Sequence, residues 1–474
     1  MKSKCGALLF LLKDTATIKK IGHNFHMNSS AAKSGLDKQG LEELVSMVLS
    51  FARDQGVDQA EVTATQNIGL SVTARLGEAE SLEYANDRGI SVTVFKDKKK
   101  GSASTSDFSV EALKEASKKA CTFAKFTAND EYAGLADAEL MAEHPPDLHL
   151  AHEWNIDSEG AIDIAIECED AARSYDQRIT NSEGATVSTN SGIHVYGNTH
   201  GFLSSYPKTS HSLSCVVVGE EKGSMERDYW YTTSRDAGSL ESAEVVGRTA
   251  ARRTVQKLGG RKIATSNAPV LFSPEVARGF IGHVIRAITG AAQYRRSSFL
   301  LDAKDKKIFP DFMCIHERPH ILGGMASSPY DAEGVRTTER DLVVNGILKG
   351  YVLSSYSGRR LGLPTTGNAG GTHNLIVPGD SEDLQSLSKQ MGEGLLVQEL
   401  IGQGVNTVTG DYSRGVVGYW VENGQIAHPV HEVTIAGNLA DLYKRIVSIG
   451  SDVDLRGGIQ CGSLLVEQMK IAGA

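Results

Sequence analysis

Leu41, Leu44, Val45, Val48 and Ala52 recur at helical spacing, and Gly56 stands where such a helix would stop. Short alternating runs follow at 61–66, 69–75, 81–85 and 89–95. Gly, Asn or Asp parts each from the next, the mark of antiparallel strands and hairpins. A second helix is predicted over 109–125, with Val110, Leu113, Ala116, Ala120 and Phe123 inward. Helix, strands and helix make one α+β unit. Pro145 biases His144 away from helix, so 140–152 reads as a linker.

The same order then returns. A helix is predicted over 158–175, strands at 185–188, 192–196, 201–205, 212–219 and 225–233, and a helix over 240–258. This suggests a duplicated architecture, although no residue-level repeat accompanies it. Beyond it a strand at 269–272 leads into a helix over 274–290, with Val276, Phe280, Ile281, Val284, Ile285 and Ile288 on a broad apolar face. The remainder is rich in strands and turns. Asn345-Gly346 and Asn423-Gly424 each lie between apolar runs, the strongest short-range hairpin signal. A large curved antiparallel sheet or barrel is expected there. The predicted fold class is therefore α+β: an N-terminal (40–145) and a central (152–260) helix-plus-antiparallel-sheet unit, followed by a β-rich C-terminal domain (266–474).

Composition narrows the function. Charged residues are 23% and hydrophobic ones 40%, ordinary for a globular chain. The net charge is -9, and the lysine-rich stretch from Lys96 to Lys100 is short, interrupted by Asp97 and placed at a hairpin end. No nucleic-acid footprint is present. The apolar run at 6–12 is far too short to span a bilayer, and no signal-peptidase site follows it. Residues 1–39 read as an extension, disordered or preceding a true start at Met27. The six cysteines form no C-x-x-C pair, which fits a reducing, cytoplasmic setting. Glycine, 49 of 474 residues with only 11 prolines, implies many tight turns.

Candidate chemistry is sparse. His316-Glu317-Arg318-Pro319-His320 matches the zinc motif H-E-x-x-H, which needs both histidines one turn apart on a helix. Pro319 forbids that helix, so the segment is expected as a polar loop. His428 and His431 are expected at the surface or hydrogen-bonded. No G-x-S-x-G elbow and no phosphate loop occur, and Gly367-Asn368-Ala369-Gly370-Gly371-Thr372-His373 reads as a turn of close backbone approach.

Six peptides together resemble the PmbA/TldE family: 100–105 (KGSAST), 225–229 (MERDY), 331–337 (DAEGVRT), 410–415 (GDYSRG), 434–439 (TIAGNL) and 459–463 (IQCGS). They stand in family order from about Leu41 to the C-terminus. The resemblance implies one subunit of a two-chain zinc metallopeptidase that acts on unfolded peptides and microcin precursors with a TldD-type partner. In that partner the ligands are two histidines of H-E-x-x-x-H and a late cysteine. Here Ile281 and Arg286 stand at the histidine positions and Gly282 at the glutamate position. No shift of register restores the motif, since His283 is the only histidine nearby. Only Cys461-Gly462 persists. The resemblance thus implies no catalytic residue and no metal ligand set in this chain, with zinc in the partner. Cys461 is expected as a buried structural thiol or as chamber lining. Asp411, Tyr412 and Arg414 are expected to shape a turn, or to line the peptide chamber or subunit interface, with an Asp411–Arg414 bond presenting Tyr412. The rival reading is a non-enzymatic, protein-binding regulator of the modulator-of-DNA-gyrase type.

Overall fold

The computed structural model describes residues 36–380 and 382–473, and the chain divides between Gln256 and Lys257 into two compact units. The reading of residues 1–39 therefore falls almost wholly outside the described residues.

The first unit contains α1 (Lys38–Asp54), β1 (Gln59–Arg75), β2 (Glu78–Lys96), β3 (Lys99–Thr105) and α2 (Val110–Phe126). Then come α3 (Ser158–Arg173), β4 (Ile179–Asn198), β5 (Leu203–Glu221), β6 (Ser224–Ser234) and α4 (Ala243–Lys257). The six strands form one antiparallel sheet in the order β3-β2-β1-β4-β5-β6. That order is a palindrome, with the two helix–strand–helix halves joined through β1 and β4. The duplication expected from element order is present. It also has a residue signature that the sequence reading missed. Asn67-Ile68-Gly69 on β1 lies antiparallel to Asn190-Ser191-Gly192 on β4, so each asparagine opposes the other strand's glycine. A Cβ on Gly69 would lie 2.4 Å from the Asn190 carboxamide oxygen, and one on Gly192 2.1 Å from that of Asn67. The glycines make room for side chains, so each strand runs through where the sequence suggested a break.

Alternate β1 residues are buried, Ala60, Val62 and Ala64 against α1 and α2, and Leu70, Val72 and Ala74 against α3 and α4. All four helices therefore cover one face. The other face carries hydroxyl pairs, Ser71–Ser188, Thr73–Thr186 and Thr93–Ser102. Phe123, expected inward, is 52% exposed. The inner stripe of α2 is Leu113, Ala116, Ala120 and Ala124, because β3 approaches so closely that a Cβ on Gly101 would meet the Ala120 carbonyl at 2.1 Å. The predicted linker is partly built in: Leu148 and Leu150 are buried, and the Leu150 carbonyl accepts from Thr209 N–H of β5 at 2.9 Å.

The second unit holds β7 (Ser266–Phe272), α5 (Pro274–Ala287), α6 (Gly290–Tyr294), β8 (Ile315–Arg318), β9 (Arg340–Val344), β10 (Ile347–Leu348) and α7 (Ser355–Leu361). It continues with β11 (Asn374–Ile376), α8 (Leu384–Met391), β12 (Gly394–Ile401), β13 (Asp411–Glu422), β14 (Gln425–Asn438), β15 (Ile446–Ile449), β16 (Ile459–Gln460) and β17 (Leu464–Ala472). One sheet runs β14-β13-β12-β7-β17-β15, and β14 also pairs with β17, closing a barrel; the expected antiparallel pairing holds except between β7 and β12, which run parallel. Both Asn-Gly pairs sit at hairpin tips, β9–β10 and β13–β14, with positive φ at all four residues as such turns demand. A second sheet runs β10-β9-β8-β11-β16.

Candidate functional site

Helix α5 starts cleanly because Pro274 occupies its first turn, where no backbone donor is lost. Its inner face is aromatic and aliphatic. Phe280 stacks on Phe272 at 5.0 Å and meets Tyr412 and Tyr443 edge-on at 5.7 and 5.0 Å. Ile281, at an expected zinc-ligand position, is fully buried in this core. His283 is also buried, its ring 5.9 Å from that of Tyr412. Neither His283 Nδ1 nor the Tyr412 hydroxyl has a hydrogen-bond partner among the described residues. Burial, then the charges of Arg286 and Arg414, lowers the His283 pKa to about 4, so the ring is neutral at pH 7. Burial likewise pushes the Tyr412 phenol above its ordinary range.

The outer face of α5 is different. Gly279 is exposed, with nothing within 4 Å of where its Cβ would be, and at Gly282 a Cβ would meet only Ile459 Cδ1, at 3.6 Å. Mid-helix glycine costs about 1 kcal/mol relative to alanine. Neither φ nor packing within the unit demands it here. Arg286 flanks this step and is exposed. Arg278 is held by Asp454 at 3.2 Å; Asp454 also binds Arg456 at 2.8 Å, and Arg456 reaches Glu275 at 3.7 Å. Burial opposes ionisation of Asp454, but Arg456 and Arg278 hold it below the usual carboxylate range.

Strand β16 lies next to α5. Leu375 N–H donates to the Gly458 carbonyl and Val377 N–H to that of Gln460, so Gly458 and Gln460 face β11. In a parallel ladder the intervening Ile459 then presents its N–H and C=O to the opposite, outer side. Just past it, Cys461 is fully buried, its Sγ 3.3 Å from the Gly462 carbonyl. Burial, then Asp452, pushes the thiol up to about 12, so it is no thiolate at neutral pH. Chain approach explains Cys461-Gly462: a Cβ on Gly462 would lie 1.9 Å from the Gly450 carbonyl.

The proposed Asp411–Arg414 bond does not form. Residues three apart on a strand point to opposite faces, and both lie on β13. Asp411 is exposed and accepts from the Thr409 hydroxyl at 2.6 Å, while Arg414 donates to the Ile401 and Leu400 carbonyls at 3.3 Å. Tyr412 points into the core beneath α5.

His316-Glu317-Arg318 is strand β8, where a polar loop was expected; Ile315 and Glu317 alternate inward and pair with β9 and β11. His316 Nδ1 lies 2.6 Å from Asp341, and His320 Nε2 lies 2.8 Å from the Thr337 hydroxyl. Glu317 is a buried hub. It accepts from His373 N–H (2.8 Å), Asn368 Nδ2 (2.7 Å) and Arg340 Nε (2.6 Å), with His373 Nδ1 at 3.1 Å. Burial resists its ionisation, but the His373 and Arg340 contacts lower its pKa to about 2. The glycine-rich loop is thus anchored on Glu317. It is also anchored on Asp331, which accepts from Ala369 N–H at 2.9 Å. Burial and the nearby Glu333 push Asp331 up to about 7, against three backbone amides that favour its charge. Sequence reading missed this hub because its partners in the glycine-rich loop are more than fifty residues away in the chain, and Arg340 lies on a different strand.

The residues present do not fit a zinc site. Structural and catalytic zinc take at least three His, Cys or carboxylate donors in tetrahedral array. The helix offers a core isoleucine, a glycine and an arginine, and no group of three such donors converges among the described residues.

Family models for the PmbA/TldA metallopeptidases match three stretches: domain 1 at 60–124, the central domain at 151–258 and the C-terminal domain at 265–473. The chain is 48% identical to metalloprotease PmbA of Escherichia coli O157:H7, covering 91% of this chain and 96% of that protein. A PmbA homologue of Haemophilus influenzae is 47% identical over 94% and 99%. A zinc metalloprotease TldD homologue of Saccharolobus solfataricus is 27% identical over 53% and 59%. Among solved structures, a putative modulator of DNA gyrase from Bacteroides thetaiotaomicron superposes with a TM-score of 0.87 at 26% identity, over 91% of this chain and 99% of that one. TldE of Thermococcus kodakarensis shares the fold, with a TM-score of 0.77 at 19% identity over 91% and 100%. With three family domains in order and close to half its residues identical to PmbA, the chain belongs to the PmbA/TldE family of metallopeptidases.

Proposed function

We propose that this chain is the non-catalytic, PmbA/TldE-type subunit of a two-chain zinc metallopeptidase, working in the cytoplasm on unfolded peptides. The observation that carries this is the donor set on α5. By the resemblance, Ile281, Gly282 and Arg286 stand where the TldD-type helix has its two histidines and glutamate; Ile281 is locked in the core. Cys461 alone, held as a neutral thiol, makes no metal shell. Zinc chemistry belongs, in this reading, to a TldD-type partner.

What this chain contributes is peptide binding. The outer side of β16 offers the Ile459 backbone as a strand edge, and the glycine step of α5 leaves room beside it. Strand addition there reads main chain rather than sequence, which suits unfolded substrates of many sequences. Asp411 and Arg414 would contribute to the chamber wall or subunit interface, Tyr412 and Cys461 from beneath it.

The second reading, a protein-binding regulator without peptidase activity, draws on the gyrase-modulator description of a similar structure. One experiment separates them. The chain is purified alone and with a TldD-type homologue carrying H-E-x-x-x-H, then assayed for zinc content and cleavage of an unfolded peptide. Zinc and cleavage only in the paired preparation support the proposal. Stoichiometric zinc in the single chain, or a pair no more active than the homologue alone, overturns it.

A further inference from the structure

Strand β2 is longer than its outer neighbour. β3 pairs with it only from Ile90 to Lys96, so the stretch from Glu78 to Gly89 has β1 on one side and no strand on the other among the described residues. Side chains from Glu83 to Arg88 are all exposed, on both faces, and Tyr84 is 63% exposed. The other half of the palindrome shows what this fold does with the equivalent edge. There β5 also outruns its neighbour, since β6 pairs only from His211 onward. The segment through Leu150 and His152 lies against that edge at Thr209, next to where β6 begins to pair. Thr209 N–H donates to the Leu150 carbonyl at 2.9 Å, His152 N–H to the Thr209 hydroxyl at 2.9 Å, and His211 Nε2 lies 2.8 Å from the His152 carbonyl. One edge is met at Thr209 by a segment of its own chain. Its counterpart is met by none among the described residues.

The bare edge is acidic. Glu78, Glu80, Glu83 and Asp87 lie along it, and among the described residues only Glu80 has a cation, Arg75 at 3.4 Å. Arg88, the one base within the stretch, is committed to the Phe108 ring at 5.1 Å and the Ser106 carbonyl at 3.2 Å. Charge along an edge discourages a like-charged strand. Two copies of this edge would set carboxylate beside carboxylate, which is destabilising across a ladder. An extended segment carrying lysine or arginine at alternate positions meets the reverse situation. Glu83 and Asp87 share the hydroxyl-bearing face, opposite Ser71 and Asn67, and would pair with its basic side chains. We propose that the β2 edge from Glu78 to Gly89 is a docking site for an extended basic segment of another polypeptide, added as a further strand. This inference is independent of the peptidase reading, since it concerns a different unit and requires no catalysis.

The test is binding of fluorescein-labelled peptides to the full chain, one alternating Lys and Val and one alternating Glu and Val. The expected result is tighter binding of the lysine peptide, weakened by added salt. Reversing Glu83→Lys together with Asp87→Lys should lower its affinity by roughly tenfold and give the glutamate peptide the advantage. A change of preference cannot come from unfolding, which would lose both peptides. Ala85→Pro and Tyr84→Pro add a backbone test, since neighbouring N–H groups point to opposite sides. The variant that stays folded should lose binding. Equal binding of both peptides to the unmodified chain, or a lysine preference that survives the double reversal, overturns the proposal. So does a dimer of the chain that the double reversal dissolves, because the edge would then serve self-association.

Discussion

Glu317 and the His283–Tyr412 pair are both buried in the second unit, yet they are opposites. Glu317 is 1% exposed and surrounded by donors from β9 and the glycine-rich loop, each at hydrogen-bond distance. Tyr412 is equally buried, and His283 nearly so, but the phenol and Nδ1 have no partner among the described residues. A satisfied buried network fixes structure, whereas an unsatisfied polar group is a cost retained for some other reason. The Glu317 carboxylate, both of whose oxygens are met by donors, is scaffold, although Arg340 Nη2 beside it has no partner among the described residues. The His283–Tyr412 pair underlies the helix whose outer face we assign to peptide.

The largest test of that contrast is Glu317→Ala. Removing the carboxylate strands the Arg340 charge and several donors, at a cost of roughly 3–5 kcal/mol. The sign with pH follows from its pKa. A carboxylate lowered to about 2 stabilises the fold above the ordinary range near 4.5, and that stability is lost as pH falls through about 2. Denaturant unfolding should show the loss at pH 7 and a flatter acid limb for the variant. A variant within about 1 kcal/mol of the parent would remove Glu317 from the scaffold.

His283 titrates in a different window. Its folded pKa of about 4 lies below the usual 6.5, so the unfolded chain takes up the proton first, and stability falls as pH drops from 6.5 towards 4. The effect is on the order of 2–3 kcal/mol. Asp331, raised to about 7, acts in the opposite direction over an overlapping range, since its neutral form favours the fold at lower pH. The readout is therefore the difference between His283→Leu and the parent. That difference should move in the variant's favour on acidification and stay flat above pH 7. A difference constant from pH 4 to 7 would mean the ring is not a buried neutral base.

Much of this arrangement was legible and some was not, for physical reasons. The amphipathic stripes of α1 and α5 and the two Asn-Gly hairpins rest on neighbours in sequence, and pattern alone locates them. Gly69 and Gly192 misled because a glycine that accommodates a cross-strand asparagine looks the same as one that ends a strand. Pro319 rules out a zinc helix at His316 from sequence alone, but nothing local marks Glu317, whose partners lie on β9 and in a distant loop. Asp411 and Arg414 suggested a pair by their closeness in sequence, and strand alternation separates them.

Two tyrosines sharpen the comparison further. Tyr443 is buried and its hydroxyl donates to the Phe280 carbonyl at 2.9 Å, whereas the Tyr412 hydroxyl donates to nothing described. Tyr443→Phe should cost about 1–2 kcal/mol, because it removes a satisfied bond and strands the carbonyl. Tyr412→Phe should be neutral or slightly stabilising. Thermal unfolding of both variants checks this, and equal losses would show that the Tyr412 hydroxyl has a partner after all.

The smallest effect on stability is the most informative about function. Gly279 and Gly282 sit mid-helix on the outer face of α5, where a Cβ has open space or ordinary contact with Ile459. Each alanine should therefore stabilise the chain, by somewhat under 1 kcal/mol. If the glycines are there for internal reasons, nothing else should change. If they leave room for a peptide strand beside β16, added methyl groups intrude on the space it occupies. Gly279→Ala together with Gly282→Ala should then raise the unfolding temperature while raising KM for an unfolded peptide in the complex with a TldD-type partner. The rate of the chemical step, which we assign to the partner, should stay near that of the parent. A more stable variant with an unchanged KM would move the peptide site away from this face of α5.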